Sequence, residues 1–139
     1  MNPDTNSKTK ILIIDDDKFL LDMYSLKFSK GGYEVSVAFN GQEATDKIKD
    51  GYTPDVILCD IIMPVMDGIK FLKNLREEKL VPNATVVVLS NQGQNEDIEL
   101  AKTFNIDGYI VKALTIPSEV LEQVGAIHGA KASTTPIHE

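Results

Sequence analysis

Five short strand-like runs alternate with five segments of helical periodicity, and this alternation constrains the fold more than any other feature of the chain. The runs are Lys10-Ile11-Leu12-Ile13-Ile14, then Tyr33 to Ala38, Val56-Ile57-Leu58-Cys59, Ala84 to Leu89, and Gly108-Tyr109-Ile110-Val111. Between and after them, apolar residues recur near every 3.6 positions: Leu20, Leu21, Tyr24 and Phe28; Ala44 and Ile48; Ile69, Leu72 and Leu75; Ile98, Ala101 and Phe104; Val120, Leu121, Val124 and Ile127. Gly31-Gly32 and Gly51 stop the first two helical segments, Gly68 starts the third and Pro117 opens the last. The first, third and fourth runs are apolar on consecutive residues, the pattern of strands covered on both faces. The second alternates, as at a sheet edge. The chain therefore reads as an α/β protein with a five-stranded, doubly wound parallel sheet.

At 139 residues the chain fits one domain. We expect a disordered lead over 1–8, the folded domain over 9–128 and a flexible tail over 129–139, where the sequence turns small and polar. The net charge of −7, from 14 basic and 21 acidic residues, argues against direct nucleic-acid binding or an anionic membrane surface. A single cysteine excludes an internal disulfide framework. The polar opening MNPDTNSKTK is no secretory signal, and no apolar run approaches the ~20 residues of a membrane helix. A cytoplasmic location is expected.

In such sheets ligands bind at the carboxyl ends of the strands. The residues at those ends are Asp15, Asp16, Asp60, Ser90 and Lys112. Three carboxylates together raise one another's pKa, and a divalent cation removes the penalty. Oxygen ligands with room for water suit Mg²⁺. Lys112 adds positive charge and Ser90 a hydroxyl. Cations and donors around a carboxylate suit phosphoryl transfer, where catalysis is largely positioning and charge neutralisation, with Asp60 as nucleophile.

The sequence resembles the receiver domain of bacterial two-component response regulators, over about residues 9 to 128. The acids of IIDDD, the D-x-x-M-P-x-M-D-G of Asp60 to Gly68, the VVVLS ending in Ser90 and the GYIVK ending in Lys112 carry the resemblance. It implies a flavodoxin-like strand order 2-1-3-4-5. It implies that Asp60 accepts a phosphoryl group from the phosphohistidine of a histidine kinase or phosphotransfer protein. Asp16, Asp60 and the backbone carbonyl of Ile62 would hold Mg²⁺, with Asp15 assisting through water. Lys112 would contact the phosphoryl oxygens, Ser90 would move to bond them, and Tyr109 would rotate inward behind it. The face of the fourth helix, fifth strand and fifth helix would meet a downstream protein, with a homodimer on that face as a further option. Such a protein modifies itself rather than turning over a substrate.

Three positions depart from the usual family pattern. Lys112 precedes Ala113 rather than proline. A cis bond there would cost about 2.5–4 kcal/mol, so a trans bond is expected. Asn91 follows Ser90 where a small residue is usual, and its bulk narrows access. Ile62 has no polar atom to orient an attacking water, though Gln92 could supply one. An apolar shield of this kind predicts slow loss of the phosphoryl group.

Plainer readings apply elsewhere. Asp17 reads as a helix cap, and Cys59 as a small buried core residue. Tyr109 could simply pack. His128 and His138 receive no role. A Mg²⁺-dependent hydrolase of the haloacid dehalogenase type is the main alternative. It would use Asp15 in D-x-D, but Phe19 stands where threonine or valine is wanted, and Asp60 is left unexplained. A degenerate, purely protein-binding receiver is the other. No output domain is visible after the last helix, so a stand-alone protein and a fragment of a longer regulator both fit.

Overall fold

The computed structural model describes residues 8–63, 65–91, 95–112 and 115–133. Five strands, β1 (Lys10–Ile14), β2 (Glu34–Ala38), β3 (Val56–Asp60), β4 (Thr85–Ser90) and β5 (Gly108–Val111), alternate with five helices. These are α1 (Lys18–Lys30), α2 (Gly41–Lys49), α3 (Gly68–Glu77), α4 (Asn95–Lys102) and α5 (Pro117–Ser133). All strand pairs are parallel, in the order β2-β1-β3-β4-β5. The doubly wound sheet and its strand order are as expected from the sequence.

Strand side chains alternate between faces, which explains the continuous apolar runs. Leu12, Ile14, Ile57, Cys59, Val86 and Val88 join Phe71, Leu72, Leu75 and Ile98 on one side of the sheet, in a core built with α2, α3 and α4. Ile11, Ile13, Leu58, Val87, Leu89 and Ile110 face the other side and meet Leu21, Tyr24, Phe28, Val120 and Val124 from α1 and α5.

Short polar side chains start the helices. The Asp17 side chain accepts from the backbone N–H of Phe19 at 3.0 Å and of Leu20 at 3.2 Å, the capping role expected of it. Asn40 accepts from Glu43 N at 2.9 Å, and Asp67 from Lys70 N at 2.9 Å. Each cap satisfies N–H groups that have no partner within the helix, worth about 1 kcal/mol apiece.

Two boundaries differ from the sequence reading. Phe104 lies beyond α4, in a turn whose carbonyls are held from α3: Arg76 donates to Phe104 O at 2.7 Å and to Asn105 O at 3.0 Å. The last helix does not stop at residue 128 but continues through Gly129 to Ser133. Tertiary contacts outweigh the glycine there. Lys131 Nζ donates to Ala84 O at 2.8 Å and pairs with Asp107 at 3.2 Å. One turn earlier, His128 Nδ1 lies 2.8 Å from Thr85 Oγ1. The remainder of the expected tail, the lead over residues 1–7, Pro64, Gln92 and the Lys112–Ala113 bond lie outside the described residues.

Candidate functional site

Strand register brings the predicted residues to one edge. Ile14 pairs with Cys59, so Asp15 comes level with Asp60. Asp60 pairs with Leu89, and Ser90 pairs with Val111, the residue before Lys112. Carboxylate oxygens of Asp15, Asp16 and Asp60 all lie within 4.8 Å of one another. Lys112 Nζ sits between two of the acids, 2.8 Å from Asp15 Oδ2 and 3.1 Å from Asp60 Oδ2.

The acids differ in their surroundings. Asp15 is 0% exposed, and its Oδ1 accepts from the backbone N–H of Asp17 at 3.0 Å. Its Oδ2 has the Lys112 charge nearby, but that approach lacks hydrogen-bond geometry. The oxygen is buried without a hydrogen-bond partner among the described residues. Asp16 is exposed at the rim. Asp60 is 4% exposed and receives a hydrogen bond from Lys112.

Burial pushes the Asp60 carboxyl up to about 6; the Lys112 charge opposes that shift, and the charges of Asp15 and Asp16 add to it. Burial works against the Lys112 ammonium, but its close pairing with the Asp15 and Asp60 carboxylates prevails and holds it above its ordinary value. The cluster has more negative charge than one lysine balances. An orphaned buried oxygen and three converging carboxylates are the donor set that a hard divalent cation takes, so the residues fit the ion expected from the sequence.

The loop after β3 is drawn tightly over this edge. Gly68 N donates to Ile61 O at 2.6 Å, and a Cβ on Gly68 would lie 2.2 Å from the Asp60 carbonyl oxygen. Only glycine allows this approach. Gly41 N donates to Met66 O at 2.8 Å and holds the same loop from α2. Val65, at the loop's crest, adopts φ 68°, a left-handed conformation unfavourable to a β-branched residue. Ile62 is 56% exposed at the rim.

Ser90 is fully buried at the end of β4, with Oγ 3.5 Å from Ile110 O, a contact too long to fix the hydroxyl firmly. Asn91 is exposed beside it. Tyr109 is 44% exposed and its ring lies under Lys102 Nζ at 5.3 Å. Lys102 was not singled out from the sequence, because nothing in its spacing indicates that α4 reaches over β5. Cys59 is a core residue: burial pushes its thiol well above the usual value, and it is inert by position. The hydrolase alternative is not favoured. Its nucleophile would be Asp15, which is fully enclosed and already engaged by Asp17 and Lys112.

Among the described residues no helix is long and apolar enough to cross a membrane. Comparison with known proteins agrees with the geometry. A family model for the response regulator receiver domain matches residues 11–124. The chemotaxis protein CheY of Thermotoga maritima is 37% identical over 119 residues, covering 85% of this chain and 96% of that protein. The alkaline phosphatase synthesis transcriptional regulatory protein PhoP of Bacillus subtilis is 32% identical, but the match spans only 48% of its length. A CheY-like receiver domain structure from Methanospirillum hungatei superposes with a TM-score of 0.81 at 26% identity, covering 91% of this chain and 98% of that one. The chain belongs to the response regulator receiver domain family, a family of phosphorelay signal transduction.

Proposed function

We propose that Asp60 is the phosphoryl acceptor of this domain and that the group comes from the phosphohistidine of a histidine kinase or phosphotransfer protein. The observation that carries this reading is the Lys112 ammonium bridging two buried carboxylates, 2.8 Å from Asp15 and 3.1 Å from Asp60. An Asp60 oxygen attacks phosphorus, a P–O bond forms, and the P–N bond breaks with its electron pair passing to the departing imidazole. With its pKa near 6, Asp60 is mainly ionised at neutral pH and available as the nucleophile. Lys112 accompanies the arriving phosphoryl oxygens and offsets their charge.

Asp16, Asp60 and the Ile62 carbonyl would hold Mg²⁺, with Asp15 assisting through water; when bound, the ion neutralises charge on the phosphoryl oxygens. Ser90 turns its loosely held hydroxyl to the phosphoryl group, and Tyr109 moves inward behind it. The changed face, built from α4, β5 and α5, then meets a downstream protein or a second copy of the chain. Ile62, exposed at the rim, carries no group to orient water, and the bulk of Asn91 beside Ser90 narrows access, so the phosphorylated state is long-lived. The domain acts as a switch in the cytoplasm and turns over no separate substrate.

Incubation with acetyl phosphate and Mg²⁺ followed by mass measurement tests the reading. The wild type should gain one phosphoryl group and Asp60→Asn none. An unmodified wild type, or a labelled Asp60→Asn protein, would overturn it.

A further inference from the structure

We infer that Lys102 restrains the Tyr109 ring in its outward position and thereby sets how readily phosphorylation draws that ring in. This rests on the inward movement of Tyr109 proposed above. Lys102 Nζ lies 5.3 Å from the ring centroid. It is anchored on its own helix by Glu99, 3.0 Å from the ammonium. Glu99 and Lys102 sit one turn apart on α4, so the pairing limits where the exposed ammonium can lie. The ring face is electron-rich and attracts the cation.

The outward position needs such a restraint. Tyr109 is 44% exposed, so burial holds its ring only in part where it stands. The Ser90 hydroxyl, at 3.5 Å from Ile110 O, offers little resistance to rearrangement on the other side. The Lys102 contact therefore opposes a movement that the rest of the neighbourhood only weakly opposes. An exposed cation–π contact changes a two-state population by about two- to fivefold. Lys102 is a positioning residue: it touches neither the acceptor nor the phosphoryl group.

The test uses protein labelled with ¹³C at its four tyrosines, loaded with Mg²⁺, and read by the ring resonance of Tyr109 with and without beryllofluoride, a phosphoryl mimic. Lys102→Met keeps the stem and removes the charge; Lys102→Arg keeps the charge. Lys102→Met should raise the inward population of the free protein about two- to fivefold and speed labelling by acetyl phosphate by a similar factor. Lys102→Arg should match the wild type, and in a Tyr109→Ala background Lys102→Met should leave the labelling rate unchanged. If beryllofluoride shifts Tyr109 but Lys102→Met leaves the free protein's ring as it was, the inference about Lys102 falls and the Tyr109 reading stands. If beryllofluoride does not move Tyr109 in any variant, both fall.

Discussion

Lys112 and Asp60 stand 52 positions apart in the chain, yet Nζ donates to Oδ2 across 3.1 Å at the edge of the sheet. Even with that partner, burial leaves the Asp60 carboxyl near 6, against 3.8 for an ordinary aspartate. The folded state thus holds the proton more tightly than the unfolded chain. Stability is greatest where Asp60 is protonated and falls as pH rises from about 4 to about 6. A shift of about 2 units corresponds to about 3 kcal/mol at most. In EDTA, urea unfolding should show this loss between pH 4 and 7 in the wild type and a smaller one in Asp60→Asn. Equal pH profiles would contradict it. Lys112, held above its ordinary value, contributes stability throughout this range and loses it only in strong alkali.

Magnesium should restore what Asp60 loses. A ligand at a hundredfold excess over its dissociation constant stabilises a fold by about 2.7 kcal/mol. At pH 7.5 added Mg²⁺ should raise the melting temperature of the wild type, and do so much less for Asp16→Asn and Asp60→Asn. An equal rise in all three would show binding elsewhere.

Gly68 should tolerate no side chain. With a Cβ 2.2 Å from the Asp60 carbonyl oxygen, Gly68→Ala must displace backbone that also carries the proposed acceptor. Denaturant unfolding should show a loss of about 1–3 kcal/mol or more, together with slower labelling by acetyl phosphate.

Ile62 should govern the lifetime of the phosphorylated state. Its apolar side chain stands at the rim, 56% exposed, with no donor or acceptor to hold a water. In Ile62→Asn, first-order decay of the phosphoprotein should quicken by about threefold or more, under 1 kcal/mol of barrier for the smallest such effect. Unchanged decay would remove Ile62 from this role.

Lys131 should secure the end of α5. Lys131→Met removes a charge-assisted hydrogen bond to Ala84 O and the pairing with Asp107. A loss of about 1–2 kcal/mol and faster proteolytic cleavage after residue 128 are expected.

The convergence of the site residues was legible because a parallel sheet converts sequence position into spatial position. A charged residue directly after an apolar run must stand at the carboxyl edge, so Asp15, Asp60 and Lys112 were found from the runs before them. The Asp17 cap was legible for a similar reason, since capping is local. Lys102 over Tyr109 and the continuation of α5 through Gly129 were not. Both depend on side chains reaching between elements: Lys102 from α4 to β5, and Lys131 from α5 to the start of β4. Periodicity reports which face of a helix is apolar, but not which long polar side chain crosses to a neighbour. The tight fit of Gly68 was legible only as a helix start, because its proximity to the Asp60 carbonyl arises from the closure of the loop.

The Lys131 anchorage bears on how motion travels. α5 begins at the carboxyl edge of the sheet, while its last turns are bound to Ala84, Thr85 and Asp107 at the opposite edge, about a strand's length of 17 Å away. With Val120 and Val124 set in the core and Lys131 fastened at the floor of the sheet, α5 is tied down along its length and should resist sliding along its own axis.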